Sequence, residues 1–347
     1  MNKLFVTANA YTRPGPPGSH AVGPDWIRLV AVRTILIVAW LVLAVAAGQQ
    51  WFGDSPDLRN YLAFYNTIGP FFDMESSRFE FGYQAAAWLA VRAGLDYFAF
   101  TVLLAGFALG AKFYLFERYL STPLLAAFSY VLGFYLLHEY TQIRAAVGLA
   151  FALLGIHAML ERRWIAFAVL SFLAFSFHYS MLIIPVTALA SRQIKGFSVL
   201  LGGALVLLIG IILLPIIEEP LVQLASVLNP LASAYVYNDL NVDTANVLSF
   251  ASIMTVGILA WKTIMPATLR VEYLRTFFGM ALASYMALVL LQQSLELALR
   301  LRDALAISLI FLVFREPITA RQVPSITLWL AAAAYLFYGY TTSQVLA

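Results

Sequence analysis

Four polar clusters interrupt a sequence that is otherwise apolar, and each carries groups that can bind an anion or move a proton. In the first cluster, Asp57, Tyr61 and Tyr65 recur at steps of four residues. A helix that begins at Pro56 would place them on one face. A carboxylate and tyrosines on one face suit sugar hydroxyls and ring faces. The alternative is that acidic or hydroxyl side chains only cap this helix and the tyrosines form an interfacial belt.

Glu80 begins the apolar helical stretch that we expect from Phe79 to Ala93, with Tyr83 in its first turn. A charge near the lipid boundary is costly unless it is paired or used, and Arg78 or Arg144 is the expected partner. A carboxylate whose pKa is tuned by its surroundings could act as a general base. We therefore predict an amphipathic or partly inserted helix. It would bring Glu80, Arg78 and Tyr83 to the site where substrate binds.

The second cluster places His138, Glu139, Gln142 and Arg144 in a short turn between two apolar runs. An arginine that opens an apolar helix, beside the free N–H groups of that helix, suits an anionic pyrophosphate. We expect Arg144 to be catalytic and Gln142 to contact substrate. The simpler alternative is a Glu139–Arg144 salt bridge within the turn.

The third cluster holds His178 and Tyr179 between two short apolar runs. His178 competes with Glu80 for the role of general base, since either group could accept a hydroxyl proton near neutral pH. We favour Glu80, because it lies within the tyrosine-rich loop. The alternative for His178 is a hydrogen-bonded histidine at the membrane interface, with Tyr179 as a further contact for substrate.

The fourth cluster contains Glu296, Arg300, Arg302 and Asp303. Two arginines beside an apolar span could hold a second phosphate, and Asp303 is a further candidate contact for substrate. The spacing equally allows the arginines to neutralise Glu296 and Asp303. Both interpretations stay open from the sequence.

The composition places most of the chain in lipid. Of 347 residues 62% are hydrophobic and 11% charged, and the mean hydropathy is +0.83. Recurring apolar runs predict an all-α polytopic membrane protein. The chain has no cysteine, which excludes disulfides and thiolate metal sites, and a net charge of +3 scattered over short loops excludes a nucleic-acid groove. We expect no metal and no cofactor.

The apolar runs predict about eleven spans after a flexible cytoplasmic tail, residues 1–25, so that residues 26–347 form a single transmembrane catalytic domain. Most lysines and arginines, including every lysine, fall on the side of the tail, and most acidic residues fall opposite. This asymmetry predicts a cytoplasmic N-terminus, with all four clusters on the outer face. The predicted spans are 27–47, 97–116, 123–137, 145–160, 164–177, 181–191, 197–217, 246–265, 274–293, 303–314 and 323–343.

Taken in order, the clusters resemble the EpsG family, a branch of the Wzy-like polymerases that elongate exopolysaccharides or O-antigens. Arg300 and Arg302 are both candidates for the arginine that this family has toward its C-terminus. The matching residues are Asp57, Tyr61, Tyr65, Glu80, Gly82, Tyr83, Gln142, Ile143, Arg144, His178, Tyr179, Ser180, Arg300 and Asp303.

The resemblance implies a GT-C-like glycosyltransferase arrangement and a periplasmic active site in a bacterial inner membrane. It implies undecaprenyl-pyrophosphate-linked glycans as donor and acceptor, with arginines holding the leaving pyrophosphate. A chain-length regulator and a flippase are further candidate partners beside the lipid bilayer. The alternative functions are a flippase or transporter of lipid-linked sugars, an O-antigen ligase, and a membrane acyltransferase with His178 as its base.

Overall fold

The computed structural model describes residues 25–69, 79–192, 249–264, 271–291 and 295–345. Within these ranges every regular element is helical, as the all-α prediction requires. The predicted span at 197–217, residues 1–24 of the predicted tail and Arg78 lie outside the described residues.

The elements follow one another with short connections. In chain order they are α1 (Asp25–Gly48), α2 (Leu58–Thr67), α3 (Phe81–Arg92), α4 (Tyr97–Tyr119), α5 (Pro123–Tyr130), a π-helix (Val131–Thr141), α6 (Ile143–Leu160), α7 (Trp164–Phe177), a 3-10 turn (Tyr179–Leu182), α8 (Ile183–Ser191), α9 (Phe250–Ile264), α10 (Glu272–Leu290), α11 (Leu295–Ala306), α12 (Ser308–Val313) and α13 (Val323–Val345).

Four of these helices are long and apolar enough to cross a bilayer, namely α1, α4, α6 and α10. Shorter apolar helices accompany them, at Trp164–Phe177, Tyr179–Ser191, Phe250–Thr263 and Val323–Gly339. The outward face of α1 carries a run of exposed large apolar side chains, as a lipid-facing helix should. The total of eleven spans stays a prediction.

Most predicted spans differ from the observed helices by a few residues at an end, and two differ in form. The span predicted at 303–314 begins earlier, as α11, and breaks at Ile307 before the short α12. The span predicted at 123–137 continues through the π-helix to Thr141. A π-helix inserts an extra residue into each turn, which hydropathy does not reveal, and such segments often occur at functional sites.

Helices α4 and α6 run parallel, and the α5 and π-helix segment returns between them. The ring of Phe107 packs on Phe151, and Arg118 reaches Glu161 at one end of the pair. Helix α7 lies antiparallel to α6, where Gly148 faces the Ala174 carbonyl. A side chain at this position would meet backbone, so the glycine sets the close approach of the two helices.

The loops predicted to be cytoplasmic meet at one end of the bundle. Arg192 pairs with Glu272 at 2.6 Å, and Arg315 donates to the Tyr119 carbonyl at 2.6 Å. The N-terminus of α6 and the C-terminus of α7 lie at the opposite end of the bundle. The bundle therefore has two chemically different ends, and their assignment to compartments rests on the charge asymmetry.

Two short helices, α2 and α3, lie in the connection between α1 and α4. Helix α2 begins directly after Asp57, whose side chain makes no capping bond, and buries both Tyr61 and Tyr65 as the spacing predicted. Helix α3 has 12 residues and is about 18 Å long, which is too short to cross a bilayer. It packs on the end of α7 through Gly82, where a Cβ atom would collide with Ser176.

Candidate active site

Glu80, Arg144 and His178 form one buried cluster, although they come from three separate polar clusters of the sequence. His178 Nδ1 lies 2.6 Å from Glu80 Oε1. Arg144 Nη1 donates to the other carboxylate oxygen, Oε2, in a close ion pair. One carboxylate therefore bridges a guanidinium and an imidazole, and Arg144, one of the two partners expected for Glu80, is paired with it.

The local fold explains how each member is held. Glu80 is the N-cap residue of α3, in extended conformation, and Gly82 lets that end of α3 touch α7. Arg144 lies in the first turn of α6, immediately after a break in the helix at Gln142. His178 has an extended backbone between α7 and the 3-10 turn. All three side chains project from helix ends rather than from mid-helix positions.

Aromatic rings enclose the guanidinium of Arg144. Its Cζ atom lies 4.7 Å from the centre of the Phe79 ring and 5.4 Å from that of Tyr61, and these two rings stack on each other. Arg144 Nε donates to the Tyr61 hydroxyl at 3.1 Å. Tyr83 packs on the same rings, and its buried hydroxyl has no hydrogen-bond partner among the described residues. This aromatic wall fixes the arginine in orientation.

Burial and pairing set the charges of the acid and the histidine. Burial alone would raise the pKa of Glu80, but the hydrogen bond from His178 and the charge of Arg144 outweigh it and lower this pKa to about 2. Burial also lowers the pKa of His178 below its ordinary value of 6.5. Near neutral pH, Glu80 is therefore ionised and His178 is neutral.

These charges fix the tautomer of the histidine. An ionised carboxylate only accepts hydrogen bonds, so Nδ1 of neutral His178 carries the proton and donates it to Glu80. Nε2 is then a lone-pair acceptor, and no described residue hydrogen-bonds to it. The cluster thus presents an oriented imidazole nitrogen that can take a proton.

Arg144 keeps hydrogen-bonding capacity beyond its two partners. A guanidinium has five N–H donors, and the described contacts occupy one on Nη1 and the one on Nε. The Arg144 side chain is 17% exposed, compared with 6% for Glu80. The remaining donors can reach an anion beside the cluster without breaking the bond to Glu80.

The two arginines of the fourth cluster, Arg300 and Arg302, lie on α11. Helix α11 packs against the 3-10 turn and α8, and the charge of Arg300 reaches His178. Arg302 pairs with Asp303 at 2.6 and 2.7 Å, which matches the neutralising alternative for these two residues. The charge of Arg300 therefore acts on the cluster, whereas Arg302 is engaged by Asp303.

Other predicted residues lie at or beyond the margin of the cluster. Asp57 acts on Tyr61 through its charge, and Gln142 occupies the helix break before Arg144. Tyr65 turns away and donates to the Leu95 carbonyl at 2.9 Å, while Tyr179 is 39% exposed and packs on a neighbouring ring. Neither tyrosine hydroxyl forms a hydrogen bond with the side chains of Glu80, Arg144 or His178.

One polar network was missed by the sequence analysis. Glu139 is fully buried and binds Lys112 Nζ at 2.5 Å and the Tyr130 hydroxyl at 2.8 and 2.7 Å. The prediction of Glu139 in an outer turn, with a bridge to Arg144 as the alternative, is therefore wrong. Lys112 interrupts an apolar run, and that interruption was the available signal. Lys112 is buried within the bundle, where it neutralises this acid.

Phe79, the closest ring to Arg144, was also not singled out. An aromatic residue next to a predicted base gives no distinctive sequence signal. As for metals, no group of three histidine, aspartate or glutamate side chains in the described ranges has the grouping of a metal site.

Comparison with known proteins adds one finding. The sequence model of the EpsG family matches residues 33–347, nearly the whole chain. No curated protein and no solved structure matches. The matched range includes every residue of the cluster.

Proposed function

The chain belongs to the EpsG family, and on that premise we propose that it is a membrane polysaccharide polymerase of GT-C type that joins undecaprenyl-pyrophosphate-linked oligosaccharide repeats. The family implies a polymerase-like function in polysaccharide biosynthesis. The observation that carries the finer proposal is the cluster of Glu80, His178 and Arg144, because it combines an oriented base with a partly available guanidinium.

His178 is the general base in this proposal, and Glu80 positions it. A carboxylate with a pKa near 2 is a weak base, whereas a neutral imidazole accepts a proton readily near neutral pH. Nε2 takes the proton of the acceptor hydroxyl, and Glu80 stabilises the imidazolium that results. The geometry therefore favours His178 as the general base, whereas the sequence led us to favour Glu80.

The bond changes follow from this arrangement. The acceptor oxygen attacks the anomeric carbon of the donor glycan, and the bond from that carbon to the pyrophosphate oxygen breaks. The electron pair leaves with the undecaprenyl pyrophosphate. Arg144 is placed to hold this charge with its remaining donors, and Arg300 supplies a second positive charge near His178.

The surrounding aromatic residues suit the sugar of the donor. Tyr61, Phe79 and Tyr83 form an aromatic wall beside Arg144, and the buried hydroxyl of Tyr83 is unsatisfied within the described part of the chain. Asp57 stands at the start of the helix that carries Tyr61. We propose that this wall binds the sugar adjoining the pyrophosphate.

We place the cluster on the periplasmic side of the inner membrane, because the charge asymmetry puts the opposite end of the bundle in the cytoplasm. A reporter fused at Lys195 or Arg270 should then be cytoplasmic, and one fused near Asn241 periplasmic. The lipid-linked donor and acceptor are the primary partners, and a chain-length regulator and a flippase are the candidate protein partners.

Reconstitution tests the function directly. The purified protein in lipid vesicles receives one defined undecaprenyl-pyrophosphate-linked repeat and no other enzyme. A polymerase forms a ladder of products that the His178→Gln variant does not form. Vesicles in which the lipid-linked unit only changes leaflet would indicate a flippase. A single transfer to an added lipid A core would indicate a ligase, and acylated sugar would indicate an acyltransferase.

A further inference from the structure

The last turn of α7, residues 174–177, packs against two glycines. One is Gly82 of α3, which comes two residues after Glu80, and the other is Gly148 of α6, which comes four residues after Arg144. The helices that carry the acid and the arginine of the cluster therefore both meet α7 at a residue without a side chain. This turn leads directly into the histidine of the cluster.

At Gly82 the space is closed by backbone as well as by side chains. A Cβ atom here would lie 2.5 Å from the Ser176 hydroxyl oxygen, 2.8 Å from the Ser176 carbonyl oxygen and 2.9 Å from the Phe177 ring. These distances are far below the roughly 3.5–4.0 Å of a favourable contact. Because part of the obstruction is backbone, no side-chain rotation relieves it. An alanine would therefore push α3 away from α7, and Glu80 would move with α3.

Gly148 contacts the chain both before and after His178. A Cβ atom at this position would lie 3.0 Å from the Ala174 carbonyl oxygen and 2.8 Å from Cγ of Met181, whose side chain is 2% exposed. The same Ala174 carbonyl accepts the backbone N–H of His178 at 3.1 Å. The backbone N–H of Met181 in turn donates to the His178 carbonyl at 2.9 Å. Displacing either neighbour would therefore move the backbone that carries the imidazole.

The hydrogen bond between His178 and Glu80 depends on both contacts. Nδ1 lies 2.6 Å from Oε1, and Arg144 holds the other oxygen of the carboxylate. Donor and acceptor no longer form a hydrogen bond when they lie about 3.6 Å apart. A displacement of about 1 Å at either glycine would therefore break this bond.

We propose that Gly82 and Gly148 are positioning residues, which hold the imidazole of His178 against Glu80 by letting α3 and α6 both contact the last turn of α7. The consequence for turnover rests on the proposed polymerase function, in which His178 is the base. The position of the imidazole is a property of the folded chain and can be measured without substrate.

Titration of the imidazole measures this position. The chain has four histidines, and in nitrogen-15 spectra of the full chain in nanodiscs the signal of His178 is the one absent from His178→Gln. The hydrogen bond to Glu80 and its negative charge raise the pKa of His178 against the effect of burial. Gly82→Ala and Gly148→Ala should each lower this pKa, because the imidazole then lies farther from the carboxylate.

Gly155→Ala is the matched control. Gly155 also lies on α6 and faces α7, but a Cβ atom there would lie 3.5 Å from Leu170 Cβ and 3.7 Å from Ser171 Oγ, which are ordinary contacts. This variant should keep the wild-type pKa of His178 and the wild-type turnover.

A compensating substitution distinguishes position from stability. Met181→Ala removes the Cγ atom with which a side chain at position 148 collides. The double variant Gly148→Ala with Met181→Ala should therefore recover most of the pKa of His178 and most of the turnover that Gly148→Ala loses.

The polymerisation assay measures the effect on the reaction. Each single variant, Gly82→Ala or Gly148→Ala, should lose about tenfold or more in turnover, since misplacing a reacting group by about 1 Å can cost about a hundredfold. The acid limb of the pH profile should also move to lower pH, because the base has a lower pKa. A smaller folded fraction would instead lower the whole profile without moving it.

An unchanged pKa of His178 in both single variants would overturn the proposal, and so would an equal shift in Gly155→Ala. If Gly82→Ala does not fold, Gly148→Ala and its compensated double variant retain the test. A shifted pKa in a protein whose wild type forms no ladder would support the positioning role and refute the polymerase function. A wild-type ladder with unchanged pKa and turnover in both variants would refute the positioning role alone.

Discussion

Two buried ion-pair clusters lie close together in this protein. They differ in whether their members keep hydrogen-bonding groups that have no partner among the described residues. In the first, Lys112 and Glu139 are both 0% exposed, and each has further partners, Tyr130 on the acid and the Ala146 carbonyl on the lysine. In the second, Arg144 and His178 are 17% and 11% exposed and keep donors or acceptors without described partners.

The difference indicates which cluster can do chemistry. A closed network stabilises one arrangement of the helices and offers nothing to a substrate, whereas an open one keeps its charges while presenting atoms to a ligand. Removing one partner from the closed network should therefore affect stability, and changing the open network should affect the reaction. The predictions that follow test this division.

The largest expected effect is on turnover in His178→Gln. Glutamine keeps a polar side chain but supplies no basic nitrogen, so turnover in the vesicle assay should fall by about a hundredfold or more. His157→Gln is the matched control, because His157 bonds to Tyr119 at the opposite end of the bundle. If His178→Gln polymerises at the wild-type rate and Glu80→Gln is inactive, the carboxylate is the base after all.

The next effect is on stability in Lys112→Met. This change leaves the Glu139 carboxylate buried without its cation, and the free energy of unfolding should drop by about 3–5 kcal/mol. The double variant Lys112→Met with Glu139→Gln should recover most of that loss, because both charges are then absent. Thermal and denaturant unfolding in detergent measure both variants. A stable single variant with low turnover would mean that this cluster also takes part in the reaction.

Arg144→Lys should lose most polymer, by about tenfold or more, while the protein stays inserted. A lysine can still neutralise Glu80, but one ammonium cannot hold Glu80, Tyr61 and a pyrophosphate together as a planar fork does. Arg92→Lys, on the exposed side of α3, serves as the control and should keep wild-type ladders. Wild-type ladders from Arg144→Lys would remove the arginine from the proposed mechanism.

The smallest effect is the pH dependence. If His178 is the base, turnover should be constant near neutral pH and should fall as the pH drops through the pKa of this histidine, which burial holds below its ordinary value of 6.5. Protonation of Nε2 then removes the acceptor. The slope reaches about tenfold per pH unit once the pH lies below the pKa of this histidine. Glu80, with a pKa of about 2, would instead keep the rate constant until the pH falls close to that value.

The sequence predicted the types of the active-site residues better than their contacts. Glu80, Arg144 and His178 were each chosen because a charged or basic group stood at the edge of an apolar run. Their mutual contact spans 64 residues for Glu80 with Arg144 and 98 for Glu80 with His178. Helix packing decides such contacts, and hydropathy and spacing contain little information about it.

The same limit explains the errors. Lys112 was grouped with lysines that orient the chain, and Glu139 was placed in an outer turn, because each was assigned from its neighbours in sequence alone. The π-helix shifts the side chains of Val131–Thr141 relative to an α-helix and brings Glu139 inside. Helix bounds such as Trp164–Phe177 were predicted correctly, since a long apolar run between polar residues determines them.

The separation of the active-site residues along the chain also has a consequence for biogenesis. Glu80 is synthesised 98 residues before His178 and 64 before Arg144. At about 5–20 residues per second, roughly 5–20 s pass before the imidazole follows the carboxylate out of the ribosome. An unpaired carboxylate is not stable within lipid, so α3 must wait at the aqueous surface. Its docking on α7 is thus a late step of folding.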